Sequence, residues 1–377
     1  MEITQISHAY IKGDAVSNLM THNDGVHRQH GHKSNIVLSY FSDFDGADIY
    51  RLAVRDYEWN FLWSFLKFLT LEDKIGYLKH YVHDFFRYKK GAAAKAIERS
   101  DVRIWHFGAF YQLFKQFRVN DIIYYHNITY PYLSKYGAAG IDSKNKLYAT
   151  SDMEPVFITH SKFNKGNLEA LGFIRNDIFL LPPPQKYDMP FQSRSTEGKS
   201  IGLLAYGRYA KNKAIPELAE FAWNKRIPLT AFGDNSMTSE FREEYGKAKK
   251  FEKPGREMSI SGKVDDLDGF YQMHSKQPLV YICNSYHEGW NVPTTEAMAH
   301  SIPVLCRRGT AMDEIVVNGR NGYLYDDLSE VPELIDKIAE SYDRFAMAAW
   351  KSSKRYGMQQ YGNNYSRILE EYEKKYK

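Results

Sequence analysis

The chain is short of several things, and each shortage removes a class of protein. It has 2 cysteines in 377 residues, Cys283 and Cys306, each in or beside an apolar stretch. They read as buried thiols, not as a disulfide or a metal pair, and imply a reducing compartment. No run of 18 or more apolar residues occurs, so no membrane-spanning helix is expected. Residues Met1 to Gln5 lack the basic and apolar regions of a signal peptide, which makes a cytoplasmic location the expectation. G-x-G-x-x-G is missing, and with it the fingerprint of a nicotinamide dinucleotide site. Net charge is only +4. That suits anionic substrates or lipid head groups and gives no reason to expect nucleic acid.

Apolar residues make up 43% of the chain, as in a soluble globular protein, and the length suggests two domains. Short apolar runs alternate with helical patterns, which predicts an α/β fold. In the first half, strands are expected at Ile3 to Ser7, Asn35 to Leu38, Val102 to Phe107, Ile122 to His126, Val156 to His160 and Ile178 to Leu181. A helix is expected from Asn18 to Arg28, and Ser161 is a suitable N-cap for another. Gly13 and Asp14 lie between the first strand and its helix, where a glycine lets backbone approach a ligand. His126 stands at the carboxyl end of a strand, where open α/β sheets bind ligands; His106 is a second candidate there. Pro182 to Pro184 stop regular structure, and the polar stretch 184–199 reads as a linker between domains 1–183 and 200–355.

Residues 57–90 mix many aromatics with Lys, His and Arg. One reading is a basic amphipathic surface that rests on a membrane or holds a lipid-linked acceptor. The other is a helical hairpin packed on the sheet with a solvated basic face.

The second half centres on Glu288 to Glu296. It follows the apolar run Leu279 to Cys283 and precedes Ala297-Met298-Ala299, which reads as a helix with Pro293 in its first turn. The amides of Thr294 and Thr295 are expected to be free donors for a phosphate at that helix start. Upstream, Gly207, Arg208 and Lys213 form a cationic turn entering a helix, a sensible anion cradle. Val331 to Arg344 and the tyrosine-rich tail 356–377 read as helices. Asp43-x-Asp45 and Asp266-x-Asp268 read as solvated turn residues, so no metal site is expected.

Glu288-Gly289-Trp290-Asn291, Pro293, Glu296-Ala-Met-Ala and Pro303-Val304 resemble the signature of glycosyltransferase family 4, in its bacterial polysaccharide or O-antigen branch. The segment around His126 and the Arg208–Lys213 spacing resemble the same family. Ser301 departs from it, since the family usually carries glycine there, and an adjusted helix C-cap is expected.

The resemblance implies a GT-B fold: two Rossmann-like domains facing across a cleft, with a C-terminal helix returning to the first. It implies a retaining hexosyltransferase using a nucleoside diphosphate sugar, GDP- or UDP-linked with GDP-mannose among the candidates, and no cofactor. The acceptor would be a saccharide or lipid-linked saccharide in surface polysaccharide synthesis, with the membrane touched peripherally through 57–90. Arg208 and Lys213 would hold the diphosphate, Glu288 the sugar hydroxyls, Glu296 the ribose, and His126 the sugar from the other wall. Gly13, Asp14, Gly207, Lys263, Val264, Gly289, Trp290, Asn291, Thr294 and Thr295 would complete the donor site. The rival readings are a carbohydrate- or lipid-binding protein on the same scaffold, and a GT-B phosphorylase or epimerase.

Overall fold

The computed structural model describes residues 1–10, 15–42, 49–51, 92–106, 121–126, 156–170, 177–236 and 239–377. Gly13, Asp14, Asp43, Asp45 and the segment 57–90 lie outside them. The chain divides into two units, Met1–Pro182 with Tyr361–Lys377, and Pro183–Gln360.

In unit 1 the described elements are β1 (Glu2–Tyr10), α1 (Ala15–Gln29), β2 (Lys33–Ser42), β3 (Ile49–Arg51), α2 (Ala92–Arg99), β4 (Val102–His106), β5 (Ile122–Tyr125), β6 (Val156–Thr159), α3 (Lys162–Ala170) and β7 (Ile178–Leu180). The strands form a parallel sheet in the order β3-β2-β1-β4-β5-β6-β7. Parallel strands buried on both faces read as unbroken apolar runs, which is why β4, β5 and β6 are visible in the sequence. One face carries Ile3, Val102, Ile104, Ile122 and Val156 against Leu19 and Val26 of α1. The other packs Ile6, Val37 and Trp105 against Ala93, Ala96 and Ile97 of α2. Ser161 caps α3, its Oγ accepting from the Asn164 amide at 3.1 Å.

Unit 2 runs β8 (Gly202–Tyr206), α4 (Ile215–Lys225), β9 (Leu229–Phe232), α5 (Ser239–Lys249), β10 (Met258–Ser261), α6 (Leu267–Met273), β11 (Leu279–Cys283), α7 (Val292–Ala299), β12 (Val304–Arg307), β13 (Gly322–Tyr325), α8 (Val331–Ala339) and α9 (Tyr342–Ser353). Its sheet is parallel, in the order β10-β9-β8-β11-β12-β13. The last helix, α10 (Met358–Tyr376), belongs to unit 1 from Tyr361 onward. Tyr361, Tyr365, Ile368, Leu369 and Tyr372 form a stripe at helical spacing that joins the core of unit 1. Among the described residues, no helix is long and apolar enough to cross a membrane.

One expectation needs correction. The helix expected from Val331 to Arg344 is two helices, interrupted at Glu340 and Ser341. The stretch from Gln185 to Lys199 is irregular, as expected, and it packs within unit 2. Tyr187 and Arg194 are buried, and the Trp350 indole N–H donates to the Met189 carbonyl at 2.7 Å.

Ser301 follows the helix C-cap residue His300 and adopts φ 59°. A left-handed conformation costs a non-glycine residue about 1–2 kcal/mol. Two contacts from the stretch after Pro184 offset that. Gln192 N–H donates to Ser301 Oγ at 3.0 Å, and Arg194 Nη1 donates to the Ser301 carbonyl at 3.0 Å. The departure from glycine therefore supplies a hydroxyl that anchors the irregular lead-in segment of unit 2.

Candidate active site

In unit 2 the chain runs from β8 outward to β9 and β10, then returns to place β11 on the other side of β8. The carboxyl ends of β8 and β11 thus flank the point where strand order reverses, the usual ligand crevice of such sheets.

The turn after β8 starts at Gly207, with φ 152°, a conformation that favours glycine. Gly233, at the end of β9, presses on it: a Cβ there would lie 1.4 Å from the Gly207 carbonyl oxygen. The turn then passes Arg208 and closes as a short 3₁₀ helix, Lys211–Lys213, followed by Ala214 at φ 49°. Two asparagines tie it to the loop after β11. Asn212 Nδ2 donates to the His287 carbonyl at 3.1 Å, and the Asn212 carbonyl accepts from Tyr286 N–H at 2.9 Å. Asn284 Nδ2 donates to the Ala214 carbonyl at 3.0 Å. These bonds pair backbone groups that neither loop could satisfy alone.

The cross-links bring Lys213 Nζ into direct contact with Glu288 Oε2. Both side chains are largely buried, at 14% and 9% exposure. Asn291 Nδ2 donates to the same carboxylate oxygen at 3.3 Å. Arg208 is exposed, its guanidinium 6.0 Å from the Phe241 ring. Lys263 is exposed and Val264 half-buried after β10, the edge strand, two positions from β8 in the sheet.

Asn291 is the N-cap of α7. Its Oδ1 accepts from the Thr294 amide at 2.9 Å, from Thr294 Oγ1 at 2.9 Å and from the Tyr281 hydroxyl at 3.0 Å. The Thr294 amide, expected to be free for a phosphate, is therefore already satisfied: an asparagine at the cap takes it. The Thr295 hydroxyl donates to the Val292 carbonyl at 2.9 Å. Gly289 and Trp290 are buried, the indole packing edge-on against Tyr356 with ring centres 5.2 Å apart.

Glu296 lies one turn into α7 and accepts from the Tyr206 hydroxyl at 2.9 Å; Tyr206 in turn meets the Tyr271 hydroxyl at 2.8 Å. Burial holds the Glu296 carboxyl above the usual carboxylate range, although the Tyr206 contact opposes this. Burial and the nearby Glu296 charge push the Tyr206 hydroxyl well above its ordinary value, so it stays a donor. Asn212, Asn284, Tyr206 and Tyr281 escaped the sequence reading. A polar residue at the end of an apolar strand, as Asn284 is, was the available signal.

Residues 188–352 match the family described as Glycosyl transferases group 1. A probable sucrose-phosphate synthase of Thermosipho melanesiensis is 23% identical over 207 residues, covering 52% of this chain and 48% of that one. The match thus spans about half of that relative. The sucrose-phosphate synthase of Thermosynechococcus elongatus has a similar structure, with TM-score 0.71, 14% identity and 98% of each chain covered. So does Anabaena Alr3699/HepE, solved in complex with UDP and glucose, at TM-score 0.65, 12% identity, 98% of this chain and 100% of that one. The fold is that of the GT-B glycosyltransferases, with two Rossmann-like domains.

In unit 1, His126 is buried, and both ring nitrogens are engaged: Nε2 lies 3.0 Å from His106 Nδ1 and Nδ1 lies 2.9 Å from His160 Nε2. A direct bond from this ring to a sugar, as the resemblance implies, requires one of those contacts to open.

Proposed function

We propose that the chain is a retaining, metal-independent glycosyltransferase. It moves a hexose from a nucleoside diphosphate sugar to a hydroxyl of a saccharide or lipid-linked saccharide, in surface polysaccharide assembly. The observation that carries the reading is the Lys213–Glu288 pair, cross-linked by Asn212 and Asn284 at the strand-order reversal of the unit that matches the transferase family.

The bond between the anomeric carbon and the diphosphate breaks, and the acceptor oxygen adds from the same face. Its proton passes to the leaving phosphate oxygen. Charge grows on that phosphate, and fixed cations aimed at developing charge are the main lever such a site has. Arg208 and Lys213 supply it. Glu288 accepts from sugar hydroxyls, and Glu296 from the ribose diol, with Tyr206 as the partner it exchanges. The UDP held by the Anabaena protein makes UDP-sugars the first donors to try, with GDP-sugars beside them.

The test is a panel of nucleotide sugars with acceptor and EDTA, reading nucleoside diphosphate release. Turnover of one donor, lost in Glu288→Ala, is expected. No release with any donor, and no thermal stabilisation by UDP or GDP, would overturn the proposal.

A further inference from the structure

Strands β4, β5 and β6 lie side by side, and a histidine closes each at its carboxyl end: His106, His126 and His160. They are 0%, 8% and 6% exposed. Their ring nitrogens form one line. His106 Nε2 lies 3.1 Å from Gln5 Oε1, and His106 Nδ1 lies 3.0 Å from His126 Nε2. His126 Nδ1 lies 2.9 Å from His160 Nε2, and His160 Nδ1 lies 3.2 Å from the Leu181 carbonyl oxygen.

Both ends of this line are acceptors. The Leu181 carbonyl has no proton to give. Gln5 presents its oxygen because its Nε2 donates to the Met20 carbonyl at 2.9 Å, while Asn23 Nδ2 donates to Oε1 at 3.3 Å. Turning the amide over would set Oε1 against the Met20 oxygen. Four contacts therefore need four protons, and three neutral imidazoles carry one each.

We propose that His106, His126 and His160 share one proton beyond neutrality, forming a buried imidazolium chain beside the strand-order reversal of unit 1 that fixes the orientation of His126. The chain lies wholly within unit 1 and stands whether or not the donor chemistry of unit 2 is as proposed.

The Tyr124 ring stacks on His126, with centres 4.6 Å apart and planes 2° from parallel, and on His106 at 5.3 Å. An aromatic face favours a cation. The other titratable groups around the chain among the described residues are uncharged: His27 on α1, pushed down to about 3 by burial, and the Tyr361 and Tyr365 hydroxyls on α10. Burial drives each ring of the chain toward neutrality, His106 to about 3 and His160 to about 4, with His126 well below its usual value. The charge of one ring also repels a charge on the next. Both effects bar a second proton. They do not remove the first, because its loss sets two acceptors face to face at about 3 Å.

The test is a count of ring N–H groups by NMR on the full chain labelled with ¹⁵N-histidine. Couplings across the N–H···N bonds identify the three rings among the 13 histidines. Four protonated nitrogens are expected on the three rings at pH 7. In Gln5→Met, which removes one terminal acceptor, the count falls to three. Three in the wild type would overturn the proposal, and that result stands even if Gln5→Met does not fold.

Stability against pH gives a second reading. A shared proton held above the unfolded imidazole value stabilises the fold fully below about pH 6.5, and the gain is lost as pH rises through the folded value. Between pH 6.5 and the folded value, unfolding of the wild type relative to Gln5→Met should grow about tenfold per pH unit. Growth on acidification instead, in both proteins alike, is the signature of three neutral buried rings and would contradict the shared proton.

Discussion

Both units are parallel sheets with a reversal of strand order, between β1 and β4 in unit 1 and between β8 and β11 in unit 2. The two reversals are filled differently. Unit 1 bridges its own with Gln5 and His106, and continues through His126 and His160 into a line of contacts that ends on a backbone carbonyl. Unit 2 fills its own with an ion pair, Lys213–Glu288, held by asparagines that bind backbone. A line of imidazoles saturates itself, so a ligand must open it. An ion pair has further capacity on both partners, so a charged ligand can insert and exchange one partner for another. The same fold position is a sealed network in one unit and an exchangeable one in the other.

The sharpest way to break the contrast is Lys213→Ala. It removes the cation proposed to face the leaving diphosphate, and donor turnover should fall about 100- to 1000-fold, the size seen when one donor to a developing charge is lost. It also leaves the Glu288 carboxylate, among the described residues, with Asn291 as its one side-chain partner, and an uncompensated buried charge costs on the order of 3 kcal/mol. Urea unfolding and diphosphate release measured together separate the two. A variant that is destabilised yet turns over normally would make the pair structural.

Gly233→Ala attacks the same edge through backbone. The new Cβ would overlap the Gly207 carbonyl oxygen, so the ends of β8 and β9 must part. A loss of about 3 kcal/mol or more is expected, with the Arg208 turn displaced. An alanine tolerated within 0.5 kcal/mol would show that the approach of these two strands is slack.

The strands were legible because two-sided burial writes them as apolar runs; Ile122–Tyr125 and Leu279–Cys283, buried along their whole length, fall where the sequence places them. β13 has no such signal, since it begins within Asn318-Gly319 and Asn321-Gly322, residue pairs that favour turns. α5 was missed because its sequence, SEFREEYGKAK, has few apolar residues to mark a period. Lys213 and Glu288 could be assigned to one chemistry from their motifs. The asparagines that make them meet could not, because those bonds link loops about 70 residues or more apart in sequence. His106 and His126 were noticed as strand ends. Their link through His160 depends on sheet register and leaves no local trace.

Tyr361→Phe sharpens the comparison from the side of unit 1. The Tyr361 hydroxyl donates to Asn23 Oδ1 at 2.8 Å, and Asn23 supports Gln5. Losing one neutral hydrogen bond should cost about 1–2 kcal/mol, less than breaking the ion pair of unit 2. Donor turnover should be unchanged. A cost equal to that of Lys213→Ala would mean that the imidazole line and its supports act as one cooperative network.

The smallest effect is expected at Glu296, where burial and a hydrogen bond oppose each other. Burial raises the carboxyl above its unfolded value, while the Tyr206 hydroxyl favours the ionised form. A carboxyl raised in the folded state works against folding above its unfolded value, and the penalty vanishes as pH falls below it. Glu296→Gln keeps an oxygen to accept from Tyr206 but carries no charge. The variant should therefore be slightly more stable than the wild type at pH 7, and the two should converge near pH 4. Urea midpoints at several pH values measure this. If the wild type were instead the more stable at pH 7, the charge-assisted bond from Tyr206 would outweigh burial. Glu296 would then resemble Glu288, a carboxylate paired with a partner that a ligand must displace.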